Sequence, residues 1–333
     1  IFIVESLGPT PFSEDFLSVK TKVGFNLKLL IKNLWALRQD LNPPYFDLGV
    51  AFWLLDPDFK NYEPRAVFRK FLGKDLSGNL EDLKEAYSLA SKKIKEFGLE
   101  KVLQNIEMPL LRILAEMESS GIVADLKKLK DLEKRIEGKL NTLTLDIYRE
   151  AGEEFNINSP KQLQAILFEK LKINSRLVSK TARGSRSTNA QSLVALRGTH
   201  PIIPHILEYR ESFKIQSTYV RPLQRSLGKD GRLHTEFIQT GTATGRLSSQ
   251  SPNLQNIPQE SIWAKDLRSA LIAPDGFSFL AFDYSQLELR ILAALSEDPK
   301  MAKAFEEGQD IHQITASKVL KISLSKVTAE ERR

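Results

Sequence analysis

A chain of 333 residues is long enough for two or three domains with substantial cores, and 41% hydrophobic with 27% charged residues is the composition of a soluble globular protein. No run of about 18 apolar residues occurs, so no membrane span is expected, and with no cysteine there is neither a disulfide nor a thiolate metal site, which suits the cytoplasm. The excess of 48 basic over 42 acidic side chains, a net +6, suits a polyanionic partner but is shared by many proteins that bind none.

The first four residues, Ile1-Phe-Ile-Val4, lack the basic flank and the length of a signal peptide and read as a strand. Residues 1–103 are broken by Asn42-Pro-Pro44, Asp56-Pro57 and Glu63-Pro64 into short elements of mixed α/β type. Over 104–150 a helical hairpin is predicted. Ile106, Leu110, Leu114 and Met117 recur at helical spacing, Gly121 is a stop, and Asp125 is an N-cap. Leu126, Leu129, Leu132, Ile136, Leu140, Leu143 and Ile147 then form a coiled-coil-like stripe that ends at Gly152, and the two helices are expected to pack antiparallel.

Ser159-Pro160 is a cap followed by proline at the first helical position. Between Asn174 and Ala190 stand Arg176, Lys180, Arg183 and Arg186 with no acid among them. Such a segment serves equally as a phosphate contact or as a solvated loop. The apolar run Phe277-Ser-Phe-Leu-Ala-Phe282 reads as a buried strand that delivers Asp283 to a sheet rim, and Leu287, Leu289, Ile291, Leu292 and Leu295 read as the helix after it. Ser285-x-x-Glu288 and Thr328-x-x-Glu331 each have the form of a capping box, and Asp310 is a plausible cap just before His312.

Two dense blocks, Thr244-Gly-Arg-Leu-Ser-Ser-Gln-Ser-Pro-Asn-Leu-Gln-Asn-Ile-Pro258 and Asp283-Tyr-Ser-Gln-Leu-Glu-Leu-Arg290, resemble palm motifs of the family A DNA polymerases, the bacterial DNA polymerase I type. Asn105-Ile-Glu-Met-Pro-Leu110, Glu154-Phe-Asn-Ile-Asn-Ser-Pro-Lys-Gln-Leu163 and Lys214-Ile-Gln-Ser-Thr-Tyr219 resemble the thumb, and Asp310-Ile-His312 with Glu331-Arg-Arg333 the fingers. The resemblance runs from about residue 20 to the end. It implies a mixed α/β, multi-domain chain: an exonuclease-like α/β domain over 1–103, a helical thumb over 104–222, the first part of an antiparallel-sheet palm over 223–296, and the start of helical fingers over 297–333.

The same resemblance implies a template-directed DNA polymerase that adds deoxynucleotides to a primer 3′-hydroxyl, in a bacterial or phage-infected cell, with primer-template DNA and deoxynucleoside triphosphates as partners. Asp283 would hold two Mg²⁺ ions together with the backbone carbonyl of Tyr284, while a second carboxylate is expected outside this chain. Ser285, Gln286, Glu288, His312 and Arg332 would meet the incoming nucleotide, with Glu288 beneath the sugar as a gate against a 2′-hydroxyl; the capping box is the competing role for Glu288.

Lys214, Ser217, Thr218, Arg246, Asn253, Gln255 and Asn256 would contact duplex and primer, with Arg176, Lys180, Arg183 and Arg186 on duplex phosphates. A donor such as Arg246 can test pair geometry without reading sequence, because the minor groove offers acceptors at nearly the same place for every pair. For each of these residues the plain alternative is a turn or surface role, and Asn253 after Pro252 is especially turn-like.

The departures from the family pattern are informative. Leu30 and Ser91 stand where proofreading relatives place metal-binding aspartates, which leaves Asp47 as one carboxylate better read as a surface or capping residue, and the domain as an inactive platform. An acid, Glu260, stands near a basic phosphate contact of relatives. The fingers helix is expected to continue past Arg333 in a further polypeptide or segment that completes palm and fingers. A non-catalytic duplex-binding module is the rival reading, and an active exonuclease a third.

Overall fold

A computed structural model describes residues 21–174, 176, 178, 179, 184, 186–329, 331 and 332. The chain divides into two compact units, Ile1–Phe277 and Ser278–Arg333. Among the described residues, no helix is long and apolar enough to cross a membrane.

The first unit opens with β1 (Lys22–Gly24), α1 (Leu27–Ala36), β2 (Tyr45–Asp47), α2 (Leu48–Leu55) and α3 (Leu80–Glu96). The strands pair in parallel with Lys22 opposite Tyr45 and Gly24 opposite Asp47. Asp47 takes up its cap role twice: one carboxylate oxygen accepts from the Val50 amide at the start of α2, the other from the Leu27 amide at the start of α1. It is buried, and that burial pushes its carboxyl up against the pull of these amides. Leu30, Phe52, Trp53, Phe68 and Ala86 form the core of this region.

α4 (Met108–Ser120) ends at Gly121, whose φ of 57° favours glycine, and a Cβ there would lie 2.8 Å from the Leu233 carbonyl. The expected antiparallel hairpin is not formed. α4 packs mainly on α1, and β3 (Ile122–Ala124) separates it from α5 (Leu126–Ala151). The buried face of α4 is accordingly Met108, Leu111, Leu114, Ala115 and Glu118, while Ile106 and Met117 are exposed. Rotation of the face is set by the partner: periodicity defines a stripe, but which side is covered depends on what lies against it.

α5 keeps its predicted stripe from Leu129 to Ile147, with Asp125 capping the Lys128 amide and Gly152 closing the helix, although Leu126 is exposed. That one stripe serves two cores. Leu129, Leu132, Ile136 and Leu140 pack with Ile215, Leu223, Leu233 and Trp263, whereas Ile147 packs with Leu163, Leu193, Ile202 and Ile206. α6 (Ile202–Lys214) is its principal helical neighbour, and Ser159 caps the Gln162 amide as predicted.

Antiparallel pairing organises the rest of the first unit. β3 is flanked by β4 (Arg232–Leu233) and, later in the chain, β7 (Leu271–Ile272), while β5 (Glu236–Ile238) and β6 (Ser248–Gln250) form a hairpin with Ile238 opposite Ser248. Gly241 in the hairpin loop leaves room for the Ser248 hydroxyl, which a Cβ there would meet at 2.1 Å, so a larger residue would force the Ser248 side chain aside.

The second unit consists of α7 (Leu287–Ser296), α8 (Pro299–Glu306) and α9 (Ile311–Leu320). Here one expectation fails: Phe277–Phe282 is not a strand but an irregular segment, with Phe277, Phe279, Leu280 and Phe282 exposed. A strand exists only through the neighbours that take its N–H and C=O groups, and no such neighbour occurs among the described residues.

Candidate nucleic-acid and nucleotide sites

The predicted site residues fall into two groups, each within its own unit. In the first unit, Lys214, Ser217 and Thr218 are exposed on successive turns at the end of α6 and beyond. Arg246 is exposed in the loop between β5 and β6, and its carbonyl accepts from the Thr242 hydroxyl at 2.8 Å. Just after β6, the side-chain oxygen of Asn253 accepts from the Ser249 hydroxyl at 3.1 Å and from the Gln255 and Asn256 amides at 3.1 and 3.2 Å. The turn role of Asn253 is therefore real, and it presents Gln255 and Asn256 outward.

The start of this turn is held by a residue that the motif does not contain: the Thr235 hydroxyl donates to the Pro252 carbonyl at 2.7 Å. Further along, the Trp263 indole donates to the Ser212 hydroxyl at 3.0 Å in the interior. Glu260 is exposed at the far end of the segment.

Of the basic segment, Lys180 and Arg183 lie outside the described residues. Arg176 is exposed, whereas Arg186 donates to the Val178 carbonyl at 3.3 Å and so folds back on its own loop. Arg210, which sequence reasoning passed over, ties the segment to α6 by donating to the Thr188 carbonyl.

In the second unit Asp283 and Tyr284 are exposed ahead of α7. The cap of α7 is Gln286, with a left-handed backbone and no side-chain capping bond, so the helix starts too late for Ser285 to close a capping box with Glu288. That removes the rival role for Glu288 without testing its place beneath a sugar. Arg290, unremarked in the sequence, donates to the Ser285 carbonyl at 2.9 Å while its guanidinium lies 4.6 Å from the Phe305 ring centre. It thereby ties the Asp283–Ser285 segment to α8.

Three of the predicted nucleotide residues are gathered at the start of α9. The Gln286 side-chain oxygen accepts from the Ile311 amide at 3.5 Å. Asp310 caps the His312 and Gln313 amides and accepts from Arg332 Nε at 2.6 Å. Burial pushes the Asp310 carboxyl up, but the Arg332 guanidinium and the two amides outweigh it and hold it below the usual range. Thr328 and Glu331 exchange the bonds of a capping box, with the Glu331 amide on the Thr328 hydroxyl at 3.2 Å and the Thr328 amide on the Glu331 carboxylate at 2.8 Å, although the described residues there form a turn and not a helix. Among the described residues, no group of three or more His, Cys, Asp or Glu is placed to hold a metal ion.

With this geometry in hand, the comparisons with known proteins place the chain. The family model for DNA polymerase family A matches residues 126–333. In overall structure the chain is similar to the POL domain of Pol1 from M. smegmatis, solved in complex with DNA primer-template and dNTP: the TM-score is 0.86 at 32% identity, over 94% of this chain and 56% of that one. Curated relatives include DNA polymerase I of Caldicellulosiruptor bescii, 41% identical over 86% of this chain and 34% of the relative. DNA polymerase I of Deinococcus radiodurans is 38% identical over 99% of this chain and 34% of the relative, and the thermostable enzyme of Thermus aquaticus is 42% identical over 87% and 35%.

The chain belongs to DNA polymerase family A. It spans about a third of the length of the curated relatives it matches.

Proposed function

We propose that the chain is part of a DNA-directed DNA polymerase, in which 1–103 form an inert exonuclease-like platform, 104–222 the thumb, 223–296 the first part of the palm and 297–333 the start of the fingers. Asp283 carries the reading: the family's metal-binding aspartate stands exposed directly ahead of α7, in the same unit as the cluster of Gln286, His312 and Arg332. The Asp283 carboxylate and the Tyr284 carbonyl are hard oxygen donors that suit Mg²⁺ as one share of a site, the remaining carboxylate coming from a polypeptide or segment that completes palm and fingers. When bound, a pair of such ions supplies activation of the primer hydroxyl and neutralisation of the leaving pyrophosphate.

The remaining residues bind and orient. His312 and Arg332 hold the triphosphate, which requires Arg332 to leave Asp310. Ser285 and Gln286 flank the nucleotide, and Glu288 fills the space a 2′-hydroxyl would need. Arg246, Gln255, Asn256 and the amide end of Asn253, with Lys214, Ser217 and Thr218, hold the primer-template, while Arg176, Lys180, Arg183 and Arg186 supply charge to duplex phosphates. No exonuclease chemistry is assigned: Leu30 lies in the core and both Asp47 oxygens are committed to backbone amides.

The test is primer extension by the chain supplemented with the completing polypeptide. Asp283→Ala should lower the rate by about a thousandfold or more, since removing a metal ligand forfeits several kcal/mol of charge stabilisation, with duplex binding retained. Extension near the parent rate would refute the assignment. The rival reading, a duplex-binding module without catalysis, predicts no extension even when the completing polypeptide is present.

A further inference from the structure

The hairpin that carries Arg246 is held from outside, by side chains of the N-terminal region and of α4. Phe237 in β5 is gripped at both backbone groups: its amide donates to Glu118 Oε1 at 2.8 Å and its carbonyl accepts from Lys28 Nζ. Glu118 is 1% exposed and pairs with both Lys28 and Lys32. Two residues further, the Gln239 side chain donates to the Glu107 carbonyl at 2.9 Å. At the loop itself, the indole N–H of Trp53, which is only 3% exposed, donates to the Thr242 carbonyl at 2.9 Å. The Thr242 hydroxyl then reaches the Arg246 carbonyl at 2.8 Å. A continuous chain of contacts thus runs from α2 to the backbone of Arg246, across a loop whose own residues 243–246 are exposed.

We propose that Trp53, together with Lys28 on the Phe237 carbonyl, is a positioning residue for Arg246: the N-terminal region fixes the hairpin and its 239–247 loop so that the guanidinium is presented to duplex DNA. Held loosely, an exposed loop of this length must be ordered each time DNA binds; anchored at Thr242, it is ordered beforehand, and the affinity rises by the cost avoided. The region that resembles an exonuclease would then serve the DNA contact through two hydrogen bonds and no chemistry. This inference rests on the reading that Arg246 meets the primer-template.

The experiment measures binding of a fluorescent primer-template to the 333-residue chain at one fixed salt concentration, together with amide hydrogen exchange over 240–247. Trp53→Phe keeps an aromatic ring in the core, although a smaller one, and removes the donor. It should weaken binding about three- to tenfold, the range for removal of a single hydrogen bond, and speed exchange in the loop. In an Arg246→Ala background it should weaken binding no further, whereas a general structural defect would lower affinity equally in both backgrounds and overturn the proposal.

Thr242→Val, which lies outside the α2 core, breaks the second link and should show the same non-additivity; it decides the matter should Trp53→Phe unfold. If Arg246→Ala alone leaves binding unchanged, the DNA role of Arg246 fails, and loop exchange then judges the anchoring by itself. Unchanged exchange in both Trp53→Phe and Thr242→Val would overturn the positioning claim.

Discussion

The two units of this chain are built on different principles. Up to Phe277, structure rests on burial: three apolar cores contain side chains such as Phe52, Leu111, Ile136 and Ile206, and even the deeply placed Glu118 has every partner it needs. From Ser278 onward, the buried apolar side chains among the described residues are only Ala293, Ala304 and Ala316, while Phe282 and Leu295 are 87% and 81% exposed. Its helices of 10, 8 and 10 residues are shorter than those that persist alone in water. They are held instead by local devices: the caps of Asp298 and Asp310, the Arg290–Phe305 contact and the Arg332–Asp310 pair. The contrast shows that dense motif content and self-sufficient packing need not coincide in one region.

The contrast is most directly broken by truncating one phenylalanine from each unit. Phe52→Ala should cost about 3–5 kcal/mol in chemical denaturation, as for other buried aromatics, and Phe282→Ala within about 0.5 kcal/mol; equal costs would mean that the exposed segment is covered in solution. Next in size, Glu118→Ala strands Lys28 and Lys32 and should destabilise the first unit by about 3 kcal/mol. Calorimetry should show Asp310→Ala, whose Arg332 partner is nearly half exposed, costing far less.

Acid should act on the first unit through Glu118. Burial pushes the Glu118 carboxyl up, but Lys28, Lys32 and the Phe237 amide prevail and hold it below the ordinary range. A free glutamate titrates near about 4.3, so this stabilisation is complete at neutral pH and is lost as pH falls through the lower folded value. Asp47, pushed up by burial, works in the opposite sense. The quantity to measure is therefore the stability difference between parent and Glu118→Gln from about pH 7 to about pH 3, which should shrink on the acid side. On the separate scale of DNA binding, neutralising Arg176, Lys180, Arg183 and Arg186 should lower the log–log salt slope by about 0.9 for each phosphate no longer neutralised. Arg186, already turned to Val178, should contribute least, and an unchanged slope would return the segment to a solvated loop.

Local chemistry was the legible part. The caps at Asp47, Asp125, Ser159 and Asp310, the Thr328–Glu331 box and the stops at Gly121 and Gly152 arise from side chains that bond to backbone a few residues away or from a left-handed turn. The α5 stripe was legible for the same reason, since its 3.6-residue period belongs to the helix itself. Misreadings began where a partner distant in sequence decides the outcome. The face of α4 turns toward α1, some 80 residues away in sequence. Phe277–Phe282 has the composition of a strand but lacks a described neighbour to make it one.

The family, and with it the expected roles of Asp283, Glu288, Arg246 and His312, stood in the order of residues alone, because chemistry at such sites demands particular side chains at fixed spacing along one stretch of chain. Only the tertiary structure decided that Glu288 lies past the start of its helix and that Asp310 brings His312 and Arg332 together. It alone, too, showed Trp53 reaching Thr242 across 189 positions of sequence. A hydrogen bond between residues so far apart leaves no periodic trace in either segment, because each end satisfies its local rules equally well with any partner.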